Sequence, residues 1–254
     1  MGGETLASPR IEDLEREVRE RALQAAARDL ELADRALIHV NHGLVPISGQ
    51  KRGYGARLVR LLAVTGAFNS LRWAKEVAVC GYPPESLTLV RAALERWGTA
   101  KYVEKHPGEA YRWLTASDNR EDWPPRFDRI WAEMEDDIKD TAKSAYGVLS
   151  EFAHPRAGGL PHLVDWDEAL TYFHLGPHWD QDAFEACLYF VLTVTQLFYR
   201  VVGNLQVECL GSVSEEWGEK ALQLTDEMAA YVDRHAANVL ARLRVRTDPD
   251  RRTP

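Results

Sequence analysis

Apolar positions recur at helical spacing along most of this chain. Between Ile11 and about Val40, the residues Ile11, Leu14, Val18, Ala25 and Leu32 mark one side of a segment otherwise dense in Arg, Glu and Ala. A long, mostly solvated first helix is predicted there. "NHGLVPISGQKRGYG" then breaks the period with Gly, Pro and turn formers, predicting a flexible loop beside any pocket. From Ala56 to Cys80 the stretch "LLAVTGAFNSL" is apolar around most of its circumference, and Ala63, Gly66, Ala67 and Ser70 are small enough for close helix approach. Such a helix belongs in the centre.

"GYPPES" ends that helix and starts the next, with Pro in its first turn, and the third helix runs from about Pro84 to Lys105 before Pro107. Shorter helices are predicted at about Gly108–Ala116 and Arg126–Met134, and a sixth carries "AKSAYGVLSEFAHP". The alternation of aromatic and polar residues in "HLVDWDEALTYFHLGPHWD" predicts a small hairpin. Two long helices close the chain, at about Asp182–Leu210 and Ser214–Val245. The first is apolar except for a stripe of Glu185, Gln196 and Arg200, so it belongs mid-bundle. The second sets Trp217, Ala221, Leu224, Met228, Tyr231 and His235 at steps of four and three, a coiled-coil-like seam. Such a seam serves either the chain's own bundle or a homodimer through residues 214–245.

The expected fold is therefore all-α: one domain spanning 1–254, a bundle of about seven to eight helices with a short irregular or β-hairpin insert near 160–180. Residues 1–9 and 246–254 read as flexible tails. A net charge of −8 over 254 residues disfavours polyanions except at a local basic patch. Cys80, Cys187 and Cys209 are too widely spaced for a disulfide framework or a Cys-x-x-Cys metal site, which fits a reducing cytoplasm. The most apolar run, "ACLYFVLTVTQLFYRVV", is interrupted by Thr, Gln and Arg, so a core helix is expected and no membrane span.

Candidate chemistry gathers on the sixth helix. Ile138, Ala142, Ala145, Leu149 and Phe152 define its buried face, while Tyr146, Ser150 and His154 step away from it toward the rim. In the third helix Arg91 and Glu95 form an i, i+4 pair beside the apolar stripe Leu87, Val90, Leu94 and Trp97, with Gly98 permitting close approach of a neighbour. If the two helices meet, Arg91, Glu95, Tyr146, Ser150 and His154 line one polar pocket. Arg91 would hold a small anionic ligand and Glu95 would orient His154. The bland alternative is an ion pair with satisfied polar side chains. "EFAH" has the Glu-x-x-His form of di-iron bundles but occurs once, and Glu151 lies opposite the buried face. His162, His174 and His178, with His154, make half of the eight histidines and are zinc candidates by composition alone. No phosphate loop, dinucleotide fingerprint or Gly-x-Ser-x-Gly elbow is present, and no cofactor is expected.

The stretch "GAFNSLRWAKEVAVCGYPPESLTLVRAALERWGTAKYVEKHP" with "YGVLSEFAHP" resembles a bacterial all-helical family of unknown function, in which an R-x-x-x-E helix precedes a Tyr or Arg and then S-x-x-x-H. The matching positions are Arg91, Glu95, Tyr146, Ser150 and His154. That family is distantly similar to HEPN domains of bacterial defence and toxin systems, several of which are metal-independent ribonucleases using R-x(4-6)-H. The resemblance implies a helical bundle, and as an alternative function RNA cleavage with His154 as general acid or base and Arg91 stabilising charge. Arg35 to His42 and Arg156 to His162 both fit the spacing, as many matches as residue counts alone supply. A binding and interaction module is the leading expectation, with the ribonuclease and a purely structural homodimer as alternatives.

Overall fold

A computed structural model describes residues 10–48, 55–119, 127–132, 134, 136–153, 164–166, 171–173 and 176–247. Among them are eight α-helices: α1 (Ile11–Ser48), α2 (Ala56–Val79), α3 (Pro83–Lys105), α4 (Ala110–Asn119), α5 (Phe127–Ala132), α6 (Asp136–Ala153), α7 (Gln181–Leu210) and α8 (Glu215–Thr247). A 3-10 turn at Pro107–Glu109 leads into α4. Strands β1 (Val164–Trp166) and β2 (Thr171–Phe173) pair antiparallel, with Asp165 opposite Tyr172. The protein is an all-α bundle with the hairpin in the expected place.

Helix α7 is the axis. It packs on α1, α2, α3 and α8, and from Ala183 to Tyr199 it has no exposed residue. Asp180 caps its start by accepting from the Ala183 amide at 3.0 Å, and Gly211 ends it at φ 86°, a left-handed conformation that suits glycine. By length and composition α7 could cross a membrane, yet 78% of its most apolar window is buried inside the bundle, as in a core helix. Helix α2 packs on α1, α3 and α7 but leaves Leu62 and Trp73 exposed, so it flanks the axis. The α3 stripe Leu87, Val90, Leu94 and Trp97 is fully buried, as are Ala142, Ala145 and Leu149 of α6. The α8 seam is buried from Trp217 to Tyr231 against its own chain, on α1 and α7, so a dimer through α8 would have to use another face. Residues 1–9 and 248–254 lie outside the described residues, while 246 and 247 belong to α8.

The first helix is longer than its pattern predicts. It kinks at Ala26 (φ −143°, ψ 36°) and then continues through Asn41–Ser48, the first half of the expected loop. Residues 49–54 lie outside the described residues. Tertiary packing overrides the two breakers. Leu44 and Ile47 enter the core, and Gly43 lies so close to α7 and α8 that a Cβ there would meet Val202 Cγ1 at 2.6 Å and Trp217 Nε1 at 2.7 Å. Tyr199, Trp217 and Gln206 donate side-chain hydrogen bonds to the α1 carbonyls of Ala36, His39 and Gly43 at 3.0, 3.0 and 3.2 Å. Pro46 falls in the last turn, where only one intrahelical donor is lost.

Gly43→Ala tests this contact. In a solvated loop or exposed helix the change is neutral or favourable; here overpacking is expected to cost about 1–3 kcal/mol, read by urea denaturation.

Candidate functional site

The third and sixth helices do meet, and they bring Arg91, Glu95 and Tyr146 together. Arg91 Nε donates to the Glu95 carboxylate at 2.9 Å and Arg91 Nη2 donates to the Tyr146 hydroxyl at 3.1 Å. The hydroxyl in turn donates to Glu95 at 3.5 Å, and the guanidinium lies 5.1 Å from the Tyr146 ring centroid. Glu95 is the open edge of the cluster, with 37% of its side chain exposed against 13% for Arg91. The close approach that Gly98 allows is made by α5: a Cβ at 98 would meet Phe127 at 3.0 Å, and Phe127 stacks on Tyr146 at 4.7 Å. The contact between α3 and α6 is thus wedged by an aromatic ring from the short helix between them.

Ser150 is spent differently. Its hydroxyl donates to the Tyr146 carbonyl at 2.6 Å, an i−4 bond within α6. His154, His162, His174 and Arg156 lie outside the described residues. His178 precedes α7 and donates its backbone amide to the Gly81 carbonyl at 3.2 Å; Gly81, at φ 91°, has no room for a side chain against it. Among the described residues, no three His, Cys, Asp or Glu side chains converge as metal ligands.

Two polar assemblies escaped the sequence pattern. At one end of α2, Arg60 is buried to 4% side-chain exposure and pairs with Glu104 of α3 at 2.9 Å and with Glu208 of α7. Asn204 donates to Glu104 at 2.9 Å and Lys101 at 2.5 Å. Burial alone would raise the Glu104 pKa, but these bonds and the Arg60 charge hold it below the usual carboxylate range. Further along, Lys75 pairs with Asp34 and, at 3.0 Å, with Glu76, which also receives Arg19. The signal was available: Arg60 and Lys75 each fall on the apolar stripe of α2, where an unpaired charge is untenable.

The second assembly is a cleft of about 740 Å³ between α1 and α8. Arg35, His39 and His42 line one wall; Trp217, Lys220 and Gln223 line the other, with Glu216 and Glu219 at the same end of α8. His39, 8% exposed, stacks against Trp217 at 5.1 Å and Tyr199 at 5.6 Å, and those two rings are themselves 6.0 Å apart, so the three form a triangular aromatic cluster. Burial lowers its pKa to about 4, assisted by the nearby charges of His42 and Lys220. Among the described residues, His39 Nδ1 and Arg35 Nε are enclosed without a hydrogen-bond partner, although Arg35 Nη2 pairs with Glu227. The expected Arg35-to-His42 spacing thus lines one surface, while its second instance, at Arg156, lies outside the described residues.

What the two helix-pair sites can do follows from their geometry. The α3/α6 cluster presents a carboxylate held by a guanidinium and a hydroxyl, and the α1/α8 cleft presents cationic groups above a neutral imidazole. The chain matches no protein-family model, no curated protein and no solved structure.

Two outcomes are expected. Arg60→Ala leaves Glu104 and Glu208 without their shared cation, at a cost of about 3–5 kcal/mol in urea denaturation. For His39 the folded pKa lies below the ordinary 6.5, so the unfolded chain takes up the proton more readily. Its contribution, about 3 kcal/mol, is complete above pH 6.5 and is lost as pH falls toward 4. His39→Phe keeps a ring beside Trp217 and Tyr199, and the slope of unfolding free energy between those pH values should flatten.

Proposed function

We propose that the protein is a binding and interaction module whose recognition site is the polar cluster between α3 and α6. The observation that carries this reading is the meeting of Arg91, Glu95 and Tyr146, from helices some fifty residues apart, at a half-buried position with one open edge. A purely structural ion pair gains little at a surface. Here the guanidinium is fixed by two acceptors and by the Tyr146 ring, so its orientation is set before any ligand arrives. A ligand carboxylate or phosphate takes the place of Glu95 on Arg91, and the released Glu95 carboxylate accepts from a donor on the same ligand. Tyr146 keeps both groups in register.

A thermal-shift panel of small carboxylates and phosphates tests the assignment. At least one member should raise the melting temperature of the wild-type protein. For at least one member Arg91→Gln should abolish the response while Lys220→Gln leaves it intact, and Tyr146→Phe, which keeps the stack on Phe127, should weaken it while costing about 1 kcal/mol of stability. If every response survives Arg91→Gln, the site is not this cluster. No response in the wild type, with both variants strongly destabilised, makes the cluster structural.

A further inference from the structure

A separate feature of the fold carries a second, independent site. We infer that the cleft between α1 and α8 binds a small oxyanion, a phosphate or carboxylate group, received by Arg35, His42 and Lys220 over the buried ring of His39. Three observations support it. First, Arg35 and His39 are one helical turn apart on α1, and each contributes an enclosed polar atom, Nε and Nδ1, with no partner among the described residues. A buried donor without an acceptor is costly and uncommon, and two on one wall are best explained by a group that binds there. Both atoms can donate: Nε always, and Nδ1 in the corresponding neutral tautomer.

Second, Arg35 commits Nη2 to Glu227. Nε and Nη2 together form the edge of the fork that takes an oxyanion side-on, so Glu227 holds one half of that edge and leaves Nε without an acceptor among the described residues; an incoming oxyanion competes with Glu227 for it. Arg35 is half-buried and long, so rotation of its terminal torsions turns that edge into the cleft. Third, the lining brings two cationic side chains, Arg35 from α1 and Lys220 from α8, to the cleft beside the His42 imidazole, with Glu216 and Glu219 toward the end of α8. Among the described residues Lys220 donates to Gln223, a neutral partner, at 2.8 Å.

The occupant is compact. Glu216 and Glu219 stand at the same end of α8, and the chain as a whole carries −8, so a polyanionic strand crossing the rim meets repulsion that a single phosphate reaching the floor avoids. The first turn of α8, capped by Ser214, which accepts from the Trp217 amide at 3.2 Å, adds its dipole in the favourable sense.

The test titrates inorganic phosphate, and separately citrate, into the full chain at constant ionic strength, with calorimetry and the ring resonances of His39 and His42 as readouts. Saturable binding that moves the His39 resonance is expected. Lys220→Gln, on the rim, should weaken it about tenfold, the loss of one charge-assisted bond, without changing the fold. Glu227→Gln should strengthen it by releasing Arg35. Arg91→Gln should leave it unchanged, which separates this cleft from the α3/α6 cluster. Absence of saturable binding by either anion overturns the inference, as does an affinity indifferent to both Lys220→Gln and Glu227→Gln. Binding of a single-stranded ribo-oligonucleotide in place of phosphate would also overturn it, in favour of a polyanion surface.

Discussion

Helix α7 has no polar face wide enough to meet water. Between Ala183 and Tyr199 none of its residues is exposed, so the energy that holds the bundle together depends on four other helices covering it. Each supplies an apolar stripe. The polar side chains that α7 does carry must then find partners inside: Thr193 and Thr195 turn back to their own helix at 2.8 and 2.7 Å, while Tyr199 and Gln206 reach α1 carbonyls. That second pair of bonds, with the Trp217 indole from α8, fixes the C-terminal half of α1. Both helices that wall the cleft are therefore positioned by the same buried axis.

The three polar assemblies differ in charge balance and in how open they are to solvent. Around Arg60 the charges nearly cancel and every carboxylate has a donor, although Arg60 Nε, like Arg35 Nε, is enclosed without a partner among the described residues; the network ties α2, α3 and α7 together with no open edge on its cation. The Arg91 cluster is also internally bonded, but its carboxylate stands at the solvent edge, where exchange with a ligand is possible at small desolvation cost. In the α1/α8 cleft two enclosed atoms, Arg35 Nε and His39 Nδ1, lie without partners among the described residues behind a wall that carries both Lys220 and the carboxylates Glu216 and Glu219. Native interiors leave few such atoms unpaired.

Most helix boundaries were legible because the chain repeats a strong 3.6-residue period between clear Pro and Gly stops, as at Lys105 before Pro107 and at Gly211. The end of α1 was not. Gly43 and Pro46 are breakers by local propensity, and only the depth of Trp217 and Val202 beside Gly43 explains why the helix continues. Arg91, Glu95 and Tyr146 were found because an i, i+4 charge pair beside a Trp-bearing stripe and a Tyr at a core border are local signals. His39 was missed: it lies on the stripe of Ala36, Val40 and Gly43, but a stacked, enclosed imidazole depends on Tyr199 and Trp217, which are distant in sequence. Arg60 carried a local signal, a charge on the apolar stripe of α2, but its partners Glu104 and Glu208 come from α3 and α7 and could not be assigned from spacing.

The two sites share no helix, yet each rests on α7: α3 packs on one part of its surface, α1 and α8 on another. A ligand that displaced Glu95 or turned Arg35 would act first on side chains at the bundle surface. For one site to sense the other, the change would have to pass along α7, where Leu188, Leu192, Phe198 and Val202 are fully buried and interiors are close-packed. Packed interiors transmit either nothing or a discrete rearrangement. The only irregularity inside α1 is the kink at Ala26, more than two turns before Arg35, and the described part of α7 runs from cap to cap without a break. Independent occupation of the two sites is therefore what this architecture favours.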